Sequence, residues 1–175
     1  MTVIAYGTVG GTTQRVAEIL HSLGDKVTKC APVDETDLST LEADEGVIIG
    51  APTLNTNAEE DRSGTAIDDW LYTVLPDLNF EGRKVAIFGL GAAKGYSYYF
   101  CDAAGEIYDR VTEAGAKVYG TGVSIEDYEF DESRAVREHL GGFVGMMFDE
   151  EQESDLSEER ASKWIAQLRS EGFPI

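Results

Sequence analysis

The sequence is poor in the residues that build metal sites and disulfide frameworks. Its 175 residues include only two cysteines and two histidines. Cys30 and Cys101 lie far apart and in no CxxC pair, which excludes a disulfide framework and a four-cysteine zinc site and suits a reducing compartment. His21 and His139 are too few for a histidine-rich site. We therefore predict no metal centre.

Basic residues are also scarce. The chain has 14 Lys and Arg against 33 Asp and Glu, a net charge of −19. This balance argues against binding nucleic acid, where phosphate contacts need basic side chains, and against an anionic membrane surface. It favours association with basic protein partners. The alternative is that the acidity only keeps the surface soluble.

Long apolar runs are absent, so we expect no membrane insertion. The N-terminus enters a predicted strand at once, and no signal peptide is visible. We expect a cytoplasmic protein, or one of the plastid stroma if a transit peptide has been removed. Hydrophobic residues make up 42% of the chain, enough for the core of a single domain over residues 1–175.

What the sequence does contain is an alternation of short apolar runs with amphipathic segments. Such runs predict strands covered on both faces of a parallel sheet, and the segments between them have helical spacing, so the chain is α/β and doubly wound. The polar segment Thr121–Gly142 interrupts the alternation, and we interpret it as an insertion that splits the last strand. The predicted strands are Val3–Tyr6, Val27–Ala31, Val47–Gly50, Val85–Phe88, Val118–Gly120 and Val144–Phe148.

Ligands of open α/β sheets bind at the carboxyl ends of the strands, where three loops are informative. The first loop, Gly7–Gln14, contains glycines that permit tight turns and threonines that offer hydroxyl donors, and it opens a helix. It is a plausible phosphate site, although a capped turn is the alternative. It matches neither the P-loop nor GxGxxG. No Lys or Arg occurs in it before Arg15, so neutral dipoles alone would hold the phosphate.

The second loop has a restricted backbone, and the third loop carries an aromatic ring. The second loop, Gly50–Asn57, is shaped by its proline and asparagines, though alone it is equally an ordinary turn. The third loop, Gly89–Tyr96, only loosely resembles a dinucleotide fingerprint, and it follows the fourth strand rather than the first. Tyr96 at its tip could stack on a planar ligand or be a surface residue.

A nucleophile paired with a base is not evident in these loops. Cys101 lies within a helix predicted to begin near Tyr98 and is interpreted as packed rather than catalytic. The loops therefore indicate a cofactor-binding protein rather than a hydrolase or transferase.

Three motifs resemble those of long-chain flavodoxins, in order and each after the expected strand. The T-x-T-G-x-T phosphate motif matches at Thr8, Gly11 and Thr13. The P-T-aromatic-N segment matches at Pro52, Thr53 and Asn55, and the G-D-Q-x-G-Y loop at Gly91, Gly95 and Tyr96. Tyr128-x-Phe130 and Phe143-Val144-Gly145 resemble the long-chain insertion and the strand after it. The resemblance covers the whole chain.

The resemblance implies a flavodoxin-like three-layer sandwich with a five-stranded parallel sheet of order 2-1-3-4-5. It also implies flavin mononucleotide (FMN), bound non-covalently, with Tyr96 stacked on one face of the ring, Leu54 on the other, and the flavin N5–H donating to the carbonyl of Asn55. The implied cofactor-binding residues are Thr8, Val9, Gly10, Gly11, Thr12, Thr13, Pro52, Thr53, Leu54, Asn55, Thr56, Leu90, Gly91, Ala92, Gly95, Tyr96, Tyr99, Cys101 and Asp102.

Four positions depart from the family pattern and bear on the flavin environment. Gly10 replaces the middle threonine of the phosphate motif, and Leu54 replaces the expected aromatic. Ala92 and Ala93 replace the Asp and Gln of the third motif. The segment after Asn57 is longer than in typical members. These changes affect flavin affinity and potential rather than the choice of cofactor.

By resemblance, the protein is a low-potential one-electron carrier, not an enzyme, that cycles between semiquinone and hydroquinone. The implied partners are basic redox proteins, such as a ferredoxin/flavodoxin-NADP reductase or a photosystem acceptor side, and the chain is expected to be a monomer. Two alternatives remain: an FMN-dependent quinone- or nitroreductase-like enzyme on the same fold, and a flavin-free receiver domain. The receiver is disfavoured because the first and third strands end without the acidic residues it needs.

Overall fold

The structure, a computed structural model, describes residues 1–42, 44–54 and 62–175, in which helices cover both faces of a parallel sheet. In chain order the elements are β1 (Thr2–Tyr6), α1 (Thr12–Leu23), β2 (Val27–Pro32), β3 (Gly46–Pro52), α2 (Ala66–Asp69), β4 (Lys84–Leu90), α3 (Asp102–Glu113), β5 (Lys117–Tyr119), β6 (Val136–Arg137), β7 (Gly142–Phe143), β8 (Met146–Phe148) and α4 (Ser157–Ser170). Among the described helices, none is long and apolar enough to cross a membrane.

The main sheet has the strand order β2-β1-β3-β4-β5, which confirms the predicted order. Its last strand is split, also as predicted. β5 pairs with the first half of β4, and β8 pairs with the second half, from Phe88 to Leu90. Gly145 allows the chain to return to the sheet, because a Cβ there would lie 1.9 Å from the carbonyl oxygen of Ile87.

Each strand of the sheet interior is buried on both faces. In β1, Val3 packs into the cluster under α2 and α3, while Ile4 packs into the cluster under α1 and α4. This explains why the predicted strands show no polar alternation. The apolar residues at helical spacing pack against the sheet, with one exception. Val74 continues the spacing of Ile67, Trp70 and Leu71, which are buried, but it is itself exposed. The helix continues beyond α2 as a π-helical turn, Trp70–Val74, whose wider winding rotates that residue outward.

The insertion folds back against the third loop and α3. β6, within the insertion, pairs antiparallel with β7 at its end. The rings of Phe100, Tyr128, Phe130 and Phe143 form one aromatic cluster. The Tyr128 hydroxyl donates to the carbonyl of Met147 at 2.7 Å. That residues 1–175 form one domain with 121–142 as its insertion stays a prediction.

The start of α3 differs from the prediction. The helix begins at Asp102 rather than near Tyr98, and Cys101 precedes it in the left-handed region with φ of 56°. The reason lies in the insertion, because the N–H of Phe100 donates to the carbonyl of Glu132 at 3.3 Å. The hydroxyl of Ser133, also in the insertion, donates to the carbonyl of Phe100. In a helix that began earlier this carbonyl would accept the N–H of Ala104, which donates to the carbonyl of Cys101 instead. Cys101 is fully buried, so the interpretation that it is packed is confirmed.

Candidate cofactor site

An open cavity lies at the carboxyl ends of β1, β3 and β4. Its position is the one that the topology of an open α/β sheet favours. The lining residues are Val9, Thr12, Thr13, Pro52, Thr53, Leu54, Leu90, Gly91, Ala92, Tyr96, Glu150 and Glu151. The first ten were predicted from the sequence, and the last two were not.

The first loop has the geometry of an anion site. The hydroxyl of Thr8 accepts the N–H of Gly11 at 3.2 Å and closes the turn. Gly10 and Gly11 have φ of 81° and 90°, a region that favours glycine. Helix α1 begins at Thr12, so its first N–H groups have no intrahelical partner and its dipole favours a negative charge there. Thr13 is buried beside them.

The basic side chain that follows the first loop in the chain, Arg15, is already paired. Arg15 forms an ion pair with Glu150, and the hydroxyl of Ser157 donates to the same carboxylate. The Glu150 side chain is only 6% exposed although it lines the cavity. The first loop is therefore left to attract an anion with backbone dipoles and hydroxyls, as the sequence predicts.

The second loop is tied to its neighbours at Thr53. Its N–H donates to the carbonyl of Leu90 at 3.0 Å, and its hydroxyl accepts the N–H of Ala103 at 3.1 Å. The next residue, Leu54, is 52% exposed and lines the cavity. The predicted site residues Asn55 and Thr56 lie outside the described residues.

The third loop presents its tyrosine to the same cavity. The N–H of Tyr96 donates to the carbonyl of Ala92 at 2.8 Å, and the N–H of Gly91 donates to the carbonyl of Phe148 at 3.0 Å. Gly95 lies within this turn, with open space where a Cβ would be. Tyr96 is 47% exposed and lines the cavity, so its ring is available to a planar ligand.

Seven of the described residues that were predicted for the site are not among those that line the cavity. Four of them, Thr8, Gly10, Gly11 and Gly95, lie in the loops around it, and the other three are Tyr99, Cys101 and Asp102. Tyr99 is exposed outside it, whereas Cys101 and Asp102 are buried. Burial raises the pKa of the Cys101 thiol well above its usual value. The Asp102 carboxylate accepts the N–H of Arg134 at 2.7 Å and so fastens the insertion to α3. Their contact with a cofactor stays a prediction.

The turn after β8 is the part of the site that sequence reasoning missed. The acidic composition of the stretch Asp149–Glu159 predicts a solvated turn leading into the last helix, and this prediction is wrong at the start of the stretch. Asp149 is 2% exposed, and Glu150 and Glu151 line the cavity. Its place in the site could have been predicted from the sequence. The turn follows the second half of the split strand, whose carboxyl end lies at the same edge of the sheet as the three loops.

The sequence model described as Flavodoxin matches residues 4–164. The chain belongs to the flavodoxin family. It is 38% identical over 169 residues to the flavodoxin of Nostoc sp. strain PCC 7120, covering 95% of this chain and 94% of the relative. It is 38% identical over 170 residues to the flavodoxin of Synechococcus elongatus, with coverage of 95% and 94%. Flavodoxins are electron-transfer proteins, so the family assignment favours a carrier over the enzyme alternative.

Solved flavodoxins share the fold. A mutant of the Fusobacterium nucleatum flavodoxin bound to flavin mononucleotide superposes with a TM-score of 0.82 at 25% identity, covering 97% of this chain and 95% of that chain. The same flavodoxin without the mutation, also bound to flavin mononucleotide, gives a TM-score of 0.80 at 24% identity, with coverage of 97% of both chains. The resemblance to long-chain flavodoxins and the predicted fold class are thereby confirmed.

Proposed function

We propose that the protein is a one-electron carrier that binds FMN non-covalently in the cavity described above. The observation that carries the proposal is the meeting of an anion site with two exposed apolar side chains in one cavity. The first loop and the start of α1 suit the phosphate, and Leu54 and Tyr96 suit the two faces of the ring. The FMN-bound Fusobacterium nucleatum flavodoxins, which share the fold, support the same cofactor.

The charged residues around the cavity bear on the reduction potential of the cofactor. When bound, FMN supplies one-electron redox chemistry. The surroundings of the cavity are negatively charged. Glu151 lines the cavity and Asp149 lies buried beside it, and the net charge of the chain is −19. Negative surroundings disfavour a further negative charge on the cofactor and lower its reduction potential. We therefore propose that the carrier is a low-potential donor.

A titration of flavin-free protein with FMN tests this function. We expect tight binding, observed as quenching of flavin fluorescence, and much weaker binding of riboflavin, which lacks the phosphate. Loss of the phosphate contacts is expected to cost at least about a hundredfold in affinity, or roughly 3 kcal/mol. Equal affinity for the two flavins would contradict the proposed phosphate site, and binding of neither would contradict the cofactor.

The ion pair of Arg15 and Glu150 gives a prediction of its own. Glu150→Gln releases the guanidinium at the first turn of α1, where it can approach the phosphate. We expect the Kd for FMN to fall about threefold to tenfold at low ionic strength, the size of an exposed ion pair of roughly 1 kcal/mol. The gain should vanish in about 0.5 M salt, where screening is strong. Adding Arg15→Gln to this variant is the control and should cancel the gain; a gain that persists would assign it to another cause.

The net charge and the relatives of the chain support a proposal for its partners and its location in the cell. The family implies redox partner proteins, and the net charge of −19 favours basic ones, such as a ferredoxin/flavodoxin-NADP reductase or a photosystem acceptor side. We propose that the chain acts as a monomer in the cytoplasm, in line with its bacterial relatives. The plastid stroma has no support among those relatives.

A further inference from the structure

A buried carboxylate connects the turn after β8 to the third loop. Asp149 is 2% exposed, and its Oδ2 accepts the N–H of Ala93 at 3.0 Å. Its Oδ1 accepts the N–H groups of Glu151 and Gln152 at 3.2 and 3.1 Å. The two oxygens thus bind different parts of the chain. Oδ1 closes a local turn, and Oδ2 binds a residue 56 positions away in the chain.

The bond to Ala93 lies inside the turn that carries the aromatic ring. The carbonyl of Ala92 accepts the N–H of Tyr96, so the backbone from 92 to 96 forms one closed turn. Ala93 is the second residue of that turn, and the carboxylate fixes the orientation of its peptide. Bonds to a charged acceptor are roughly twice as strong as neutral ones. A buried carboxylate also needs such donors to offset its desolvation.

We infer that Asp149 is a positioning residue for the cofactor site: its Oδ2 holds the third loop so that Tyr96 faces the cavity before FMN arrives. This inference rests on the proposed function, because the ring is useful only if a planar cofactor enters. The simpler alternative is that Asp149 only closes its own turn through Glu151 and Gln152. The two alternatives can be tested separately, because Oδ1 makes the local bonds and Oδ2 makes the bond to Ala93.

Asp149→Asn separates them, because the amide keeps Oδ1 as an acceptor and replaces Oδ2 with a donor that opposes the N–H of Ala93. We expect amide hydrogen exchange at Ala93, followed by NMR on flavin-free protein, to become at least about tenfold faster. We also expect the Kd for FMN to rise about tenfold. Asp155→Asn is the matched control, since it removes the same charge from an exposed position in the same acidic segment. It should change neither quantity.

Exchange and affinity indistinguishable from those of Asp155→Asn would overturn the inference. If Asp149→Asn does not fold, the flavin-free wild-type protein decides: the inference expects the N–H of Ala93 to be protected from exchange, and exchange there as fast as in an unstructured peptide would overturn it. The exchange measurement needs no flavin. A wild-type protein that fails to bind FMN therefore contradicts the proposed function, while the exchange at Ala93 still decides whether Asp149 holds the loop.

Discussion

Replacing Gly11 by Asp is expected to weaken FMN binding about a thousandfold. The Asp would place a carboxylate at the start of α1, in the loop that would hold the phosphate. Two like charges about 5 Å apart repel by roughly 3–4 kcal/mol at an effective dielectric constant of 20. Gly11 has φ of 90°, so any side chain adds strain of about 1 kcal/mol to the loop. A titration of the flavin-free variant with FMN measures the effect.

The same substitution at a second glycine is the control. It shows whether the loss of affinity comes from a charge near the first loop or from backbone strain and the change in net charge. Gly82 also has positive φ, 70°, and open space where a Cβ would lie. It precedes β4, so it lies at the edge of the sheet opposite the cavity. Gly82→Asp should lose comparable stability but keep the wild-type Kd for FMN. If both variants lose affinity equally, the first loop is not the phosphate site.

Replacing Tyr96 by Ala is expected to raise the Kd for FMN about tenfold to a hundredfold. The size follows from the stacking of bases on aromatic side chains, roughly 1–3 kcal/mol. The loss should fall near the upper end, because the other exposed apolar side chain of the cavity, Leu54, is aliphatic, and Tyr96 would then be the chief stacking partner of the ring. The measurement is again an FMN titration of flavin-free protein.

Two further variants show whether the ring of Tyr96 is responsible. Tyr96→Phe keeps the ring and should bind FMN nearly as the wild type does. Tyr98→Ala removes a tyrosine that is 58% exposed and does not line the cavity, and it should leave the Kd unchanged. A Kd for Tyr96→Ala equal to that for Tyr98→Ala would mean that Tyr96 is only a surface residue.

The sheet and the first loop were predictable because local rules determine them. Apolar runs such as Val47–Gly50 indicate strands buried on both faces, and β3 has such a run from Gly46 to Pro52. Gly10 and Gly11 before a helix indicate a turn with exposed N–H groups, and both adopt positive φ. Each of these features depends on residues adjacent in the chain, which a pattern can show.

The missed features all depend on distant contacts. Asp149 looks like a surface acid, and only its bond to Ala93 shows why it is buried. Cys101 lies within a predicted helix, but the hydrogen bonds of Phe100 to Glu132 and Ser133 in the insertion make the helix begin later. In both cases a long-range hydrogen bond overrides a local preference. The site therefore contains more of the last strand's turn than motif spacing indicates.

The most direct test of the electron-carrier account is an anaerobic reductive titration of the FMN-loaded protein. The account predicts two separate one-electron steps, with the long-wavelength absorbance of a one-electron-reduced flavin accumulating between them. The second step should occur at clearly lower potential, because the acidic surroundings oppose the added negative charge. Reduction in a single two-electron step, with no such absorbance, would contradict the account.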